Sequence, residues 1–355
     1  MLKSHKYPVK ATQAPDSIAG PDSILVDRYA LLQQWLAREL PGRSFSLAPA
    51  SADASFRRYF RLTLEDSTLI AMDAPPPQED CRPFVHVAGL MKQAGVHVPE
   101  VLAADLESGF LLLSDLGDTT YLSAINEGNA DALFRDATDA LLRWQLASRE
   151  GVLPPYDEAL LRRELGLFPE WYVGRHLGIR LDAAQAESLE TVFKLVLSSN
   201  LAQPRVYVHR DYMPRNLMLS TPNPGVLDFQ DAVFGPISYD VASLYKDAFI
   251  SWEEERVLDG AVRYWEKARK AGLPVAGDFG EFYRDFEWMG LQRHLKVLGI
   301  FARICHRDGK PHYVKDTPRF LRYVRDVAQR YGALTPLLRL LDQLEAREPA
   351  LGTAP

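Results

Sequence analysis

Residues 206–232 read VYVHRDYMPRNLMLSTPNPGVLDFQDA, a β-rich island inside an otherwise helical half of the chain. Three short apolar runs, at 206–208, 217–219 and 225–227, are separated by a polar loop and by a turn dense in Pro and Asn. The pattern predicts a small hairpin set between helices. A five-residue turn over 220–224 puts Leu219 opposite Gly225, and the same register puts Asn216 opposite Asp228. Opposed residues have Cβ atoms about 5 Å apart. An amide oxygen and a carboxylate then converge at one end of the hairpin, and Asp211 faces the same point from the preceding loop.

Asn216 and Asp228 are hard oxygen ligands that leave coordination positions open, which suits Mg²⁺. Asp211 is left to orient a hydroxyl nucleophile and take its proton, so the arrangement points to phosphoryl transfer. Each of the three alone reads equally well as a turn cap, an Asx-turn or a strand-end carboxylate. Together, at this spacing, they read as chemistry. His209 is expected to brace the loop, Arg210 to pair with a carboxylate, and Asp240 to cap the helix that follows.

The flanks indicate an α+β fold in two lobes. The first is an antiparallel β-rich N-lobe at 27–115, the second a mainly helical C-lobe at 116–355, and a flexible leader covers 1–26. In the first part, Leu32, Trp35, Leu36 and Leu40 mark an amphipathic helix over 27–40. A hairpin follows at 56–64 and 68–72, with Phe56, Arg58, Phe60 and Leu62 on one face. A helix over 84–95 and strands at 96–103 and 109–114 complete the lobe. Helices are expected at 132–147, 182–197, 253–271, 279–306 and 320–345, the last broken between Gly332 and Pro336. Tyr121, Trp144, Trp171 and Trp288 read as packing aromatics. Arg293, Lys296, Arg303 and Arg307 read as a solvated basic stripe.

Among the 355 residues, 41 basic face 47 acidic ones, a net charge of −6 that offers nucleic acid or anionic lipid no general attraction. Cys81 and Cys305 form no C-x-x-C or zinc pattern. No run approaches 18 apolar residues, and the N-terminus lacks a secretory apolar core. These features lead us to expect a cytoplasmic monomer.

The string from His209 to Asn216 is similar to the H-R-D-x-x-x-x-N loop of protein kinases, and Asp228-Phe229-Gln230 resembles their D-F-G. VLDFQDA at 226–232 and GPISYDVA at 235–242 resemble the aminoglycoside phosphotransferase and choline kinase superfamily of small-molecule kinases. SFRRYFR at 55–61, AMDAPPPQEDCRP at 71–83 and QRHLKVLGIFAR at 292–303 are similar to bacterial anomeric sugar kinases of cell-wall recycling. Those enzymes phosphorylate the 1-hydroxyl of N-acetylmuramate and N-acetylglucosamine. The resemblance implies a protein-kinase-like fold, ATP and Mg²⁺, and a sugar substrate. It implies nucleotide contacts at Ser55, Phe56, Arg58, Ser114 and Leu116. The sugar would meet Asp211, Arg293 and His294, with an Arg fork suited to the lactyl carboxylate. The resemblance also gives Asp240 a second reading, as the acid that braces the catalytic loop.

One departure stands out. Kinases carry a β3 lysine for the nucleotide phosphates, yet no Lys or Arg occurs between Arg61 and Arg82, and the expected position falls near Met72. Arg57, Arg58, Arg82 and the amides of 51–56 are the candidate replacements. Other acceptors of the superfamily (choline, homoserine, an aminoglycoside, a methylthio-sugar) and a catalytically silent nucleotide-binding protein stay open as alternatives. A protein kinase is disfavoured by the missing glycine-rich loop and A-P-E segment.

Overall fold

The computed structural model describes residues 21–51 and 56–346, with backbone only at 21–27 and 51. Alternation of apolar side chains sets the first sheet. β1 (Ser46–Ser51), β2 (Arg58–Thr63), β3 (Thr68–Asp73), β4 (Val101–Asp105) and β5 (Phe110–Ser114) form an antiparallel sheet in the order β1-β2-β3-β5-β4. β1 carries no sequence signal because SLAPAS is small and interrupted by Pro49, and its pairing with β2 slips between Pro49 and Ser51.

Each face of this sheet buries a different layer. Phe60, Leu62, Ala71, Phe110 and Leu112 pack on Leu32, Trp35 and Leu36 of α1 (Pro21–Glu39). α1 begins at Pro21, inside the stretch expected to be leader, and residues 1–20 lie outside the described residues. The opposite, inner face offers Met72, Leu111 and Leu113, with Tyr59 and Ile70 beside them. It joins a core that includes α2 (Arg82–Gln93) and much of the helical half. α2 carries Pro83 in its first turn, where the missing N–H costs nothing, and ends at Gly95 in the left-handed conformation, φ +73°.

After β5 the chain runs through α3 (Tyr121–Ala124), α4 (Ala130–Leu146) and α5 (Glu158–Leu167). α5 passes into a π-helical stretch, Phe168–His176, before α6 (Ala183–Ala202). The island then supplies β6 (Arg205–Val208), β7 (Leu217–Met218), β8 (Gly225–Val226) and β9 (Val233–Pro236). β9 escapes sequence reading because VFGP contains both Gly and Pro, yet it is the antiparallel partner of β6. α7 (Tyr239–Tyr245), α8 (Glu254–Lys270), α9 (Phe279–Asp308), α10 (Thr317–Arg330) and α11 (Thr335–Glu345) complete the order. A 3₁₀ turn at Gly332–Leu334 makes the expected break.

α9, with 30 residues, is the axis of the helical half and packs on α5, the π-helical stretch, α6, α7 and α10. The end of α5 comes very close to α9 at Gly299, where an added Cβ would lie 2.4 Å from the carbonyl carbon and oxygen of Leu167. In a free helix Gly→Ala stabilises by roughly 0.5–1 kcal/mol. Here the collision is with backbone, so the sign reverses. Gly299→Ala should cost about 1–3 kcal/mol, read as a lower urea midpoint. An unchanged or raised midpoint would show that the two helices do not approach this closely.

Candidate active site

β6 delivers residues 209–211, and a single buried carboxylate holds them. The amide of His209 donates to Asp240 Oδ2 at 2.6 Å and that of Arg210 to Asp240 Oδ1 at 3.0 Å. Asp240 therefore does not cap the following helix as its position suggested. It sits in the first turn of α7 with its side chain spent on the loop. Burial pushes its carboxyl up to about 7, against the pull of the two amides.

His209 is buried, with Nε2 2.9 Å from the carbonyl oxygen of Leu227. A carbonyl only accepts, so Nε2 carries the proton and Nδ1 accepts the Asp211 amide at 3.3 Å. Burial lowers the imidazole pKa to about 4, so the ring is neutral and acts as the expected brace. Arg210 adopts φ +78° and donates to Glu164 at 2.6 Å. Lys296 Nζ lies 3.0 Å from the same carboxylate, and Tyr156 and Gln292 donate to its other oxygen. Burial works against the Glu164 carboxylate, but Lys296 and Arg210 outweigh it and hold its pKa down to about 2.

The β7–β8 register differs from expectation by one residue. Leu217 pairs with Val226 and Met218 with Gly225, so Asn216 stands opposite Leu227, whose amide donates to the Asn216 carbonyl at 2.9 Å. Tertiary contacts impose that register. Leu219 donates to the Thr119 carbonyl at 2.9 Å, and Val226 donates to the His97 carbonyl at 2.8 Å. Asn216 and Asp228 still meet, because Asp228 leaves the strand in the left-handed conformation, φ +62°. Asn216, at the end of the 3₁₀ turn Pro214–Asn216, donates Nδ2 to Asp228 Oδ2 at 3.3 Å and to the Asp211 carbonyl at 2.9 Å.

With its nitrogen so used, Asn216 has Oδ1 left as the oxygen it could offer a cation. Asp228 is accessible to solvent, yet protein crowds it from below. Burial and the charge of Asp211 raise its pKa, while a hydrogen bond from Gln230 at 2.9 Å and the charge of Arg57 restrain the rise. The Asp228 carboxylate, the nearby negative charge of Asp211 and the amide oxygen of Asn216 make a hard oxygen donor set that fits Mg²⁺. Among the described residues, no group of three or more His, Cys, Asp or Glu is arranged to hold a metal.

The other expected site residues fall elsewhere. Ser55 lies outside the described residues, and Phe56, just before β2, is 67% exposed. Arg58 does share a face with Phe60 and Leu62, but that face is covered by α1. Its guanidinium is paired, with that of Arg28, to the buried Asp73. Arg58 thus points away from the cleft, because strand alternation places it with the α1 layer. Ser114 and Leu116 line a recess of about 470 Å³ with Lys92, His97, Glu100 and Ser220, which neither Asp211, Asn216 nor Asp228 borders. The Ser114 hydroxyl there accepts the Glu100 amide at 2.8 Å.

The basic stripe of α9 is not solvated at its N-terminal end: Arg293 and Lys296 are buried. Arg293 Nη2 lies 3.6 Å from Met213 Sδ, while Nε and Nη1 have no hydrogen-bond partner. His294 is fully enclosed, stacked on Tyr323, with Nε2 3.4 Å from the Lys246 carbonyl. Burial drives its pKa well below the usual value, so it is a neutral core imidazole and not a partner for an anion. Arg61 was missed. From the inner face of the sheet it donates Nε to Asp115 at 2.7 Å and Nη2 to the Gly117 carbonyl at 2.7 Å, tying β2 to the link after β5. No local motif marks it.

The folded pKa of His209, about 4, lies below the ordinary imidazole value near 6.5. Between these values the unfolded chain binds the extra proton, so this residue's contribution to stability is present above about pH 6.5 and is lost as pH falls towards 4. Asp240, raised to about 7, acts in the opposite sense over an overlapping range. The difference between wild type and His209→Gln isolates the imidazole. That difference should shrink by about 3 kcal/mol from pH 7 to pH 4 in urea melts. A constant difference would mean that His209 is not held neutral.

The phosphotransferase enzyme family matches residues 46–278. The N-acetylmuramate/N-acetylglucosamine kinase of Pseudomonas aeruginosa is 61% identical over 84% of this chain and 88% of its own length. The kinase of that name from Neisseria meningitidis is 52% identical, covering 91% and 98%. Among solved structures, an ADP-bound aminoglycoside phosphotransferase superposes with TM-score 0.53 at 15% identity, covering 84% of this chain and 98% of its own. An ethanolamine kinase of Plasmodium vivax does so with 0.57 at 10%, covering 86% and 89%. These two share the bilobal kinase-like fold. With the family match spanning most of the two lobes and relatives above half identity, the chain belongs to the phosphotransferase enzyme family.

Proposed function

We propose that the chain is an ATP-dependent sugar kinase of the cytoplasm. It phosphorylates the anomeric hydroxyl of N-acetylmuramate and N-acetylglucosamine in peptidoglycan recycling. The observation that carries the reading is the meeting of Asp211, Asn216 and Asp228 in a chain 61% identical to a kinase of that name. Residues 27–115 serve as the nucleotide lobe, with Phe56 and the backbone of 113–116 near the adenosine, and residues 116–355 carry the chemistry and the sugar. The protein acts as a monomer on two small molecules, and no helix among the described residues is long and apolar enough to cross a membrane.

Asn216 Oδ1 and Asp228 would hold Mg²⁺, which when bound neutralises charge on the β- and γ-phosphates. Asp211 orients the sugar hydroxyl and accepts its proton. The oxygen forms its bond to the γ-phosphorus as the bond from that phosphorus to the ADP oxygen breaks. A hemiacetal hydroxyl is more acidic than a simple alcohol, so a carboxylate is base enough. Braced by Asp240 and His209, the Asp211 backbone needs no rearrangement for this step. Arg293 is the cation for the lactyl carboxylate of N-acetylmuramate. Its two unpartnered nitrogens support the assignment, although Met213 covers it and the charges of Asp240 and Asp247 already neighbour it.

Incubation with Mg-ATP and either sugar, followed by ³¹P NMR, should give an anomeric phosphate. A 6-phosphate would overturn the regiochemistry, and phosphorylation of choline but neither sugar would overturn the substrate class. Asp211→Asn should lower turnover by about 10²–10⁴ with nucleotide affinity near wild type. Asp228→Asn should instead weaken Mg²⁺-dependent nucleotide binding, and an unaltered Mg²⁺ requirement would remove it from the metal site.

A further inference from the structure

We infer that Arg57 is the cation this chain sets against the nucleotide phosphates in place of a β3 lysine. The inference rests on the nucleotide reading above. Position 72, where that lysine is expected, holds Met72, whose side chain is fully buried in the core beneath the sheet. A phosphate-binding cation must therefore reach the same inner face from another strand or link.

Geometry separates the candidates. Arg58 lies on the α1 side, closed in an ion triad with Asp73 and Arg28. Arg82, at the start of α2, is 54% exposed and engaged by Asp80 and Glu107 on the outer surface. Arg61 does face inward, but Asp115 and the Gly117 carbonyl take up its fork. Arg57 immediately precedes β2, and alternation gives it the face of Tyr59, which packs on the inner core. Its side chain is only 15% exposed, and its positive charge is among the influences that restrain the rise of the Asp228 pKa.

Glu79, in the link between β3 and α2, stands 3.5 Å from Arg57 Nε. A carboxylate beside the guanidinium can hold its orientation, as an acid on the neighbouring helix orients the usual kinase lysine. The rigid fork of a guanidinium matches the geometry of phosphate oxygens. The charge arrangement is then coherent: Asp228 and Asn216 hold the metal on one side of the phosphate chain, and Arg57 meets it from the other.

The test is calorimetric binding of Mg-ATP, Mg-ADP and adenosine to wild type, Arg57→Met and Arg57→Lys, with melting temperatures measured without nucleotide. Arg57→Met should weaken Mg-ATP about 10- to 100-fold and Mg-ADP less, while adenosine is unaffected. Arg57→Lys should recover part of the loss. Wild-type affinity for Mg-ATP in Arg57→Met, or an equal loss for adenosine, overturns the assignment of Arg57 alone. Wild type that binds no adenine nucleotide overturns the nucleotide reading with it. If Arg57→Met melts far below wild type, the Lys variant decides: retained stability with a reduced preference for ATP over adenosine supports the inference, and an unaltered preference opposes it.

Discussion

Two backbone amides share one buried carboxylate, and the geometry of the site depends on that arrangement. Asp240 accepts from the main chain of His209 and Arg210, so what it positions is the path of the polypeptide. Hydrogen bonds to a charged acceptor contribute about 1.5–3 kcal/mol each, enough to offset much of the cost of enclosing the acid. His209, neutral and enclosed, extends the brace to the Leu227 carbonyl, one residue before Asp228. Asn216 closes the arrangement with bonds to the Asp211 carbonyl and the Asp228 carboxylate. Two segments, one after β6 and one after β8, are thereby locked to each other before any ligand arrives.

The same economy of buried charge shapes the N-terminal sheet. Asp73 is fully buried at the end of β3, and Arg28 from α1 and Arg58 from β2 neutralise it. Removing either arginine would leave the acid underpaired in an apolar layer, which is why neither is available for a ligand. The inner face of the sheet is continuous with the core of the helical half, so the lobes share one hydrophobic body there. Arg61 adds a polar strut from β2 to the segment leaving β5. Below the loop, Glu164 gathers Arg210 and Lys296, a cluster in which the stripe read as solvated turns out to be structural.

Much of the architecture is legible in local pattern. Period-two alternation marks β2 and β3, and period-3.6 patterning with Pro and Gly punctuation marks α2, α9 and the break between α10 and α11. The elements that escape, β1 and β9, are short and rich in small residues or Pro, and exist because a neighbouring strand supplies the hydrogen bonds. Arg58 shows how far a correct local reading reaches. Its face was legible from alternation, but alternation does not say which face a helix will cover.

The sequence by itself determined the chemical inventory: Asp211, Asn216 and Asp228 at spacings that suit phosphoryl transfer, and the absence of a lysine at the β3 position. Those follow from residue identity and separation along the chain. Tertiary structure alone decided the register that sets Asn216 opposite Leu227 and the left-handed turn that brings Asp228 back to it. It also decided that Arg58 is enclosed with Asp73 under α1. The physical reason is common to all of these. Each depends on a hydrogen-bond or packing partner distant in sequence, from Thr119 and His97 for the hairpin to α1 for Arg58, and local pattern holds no information about such partners.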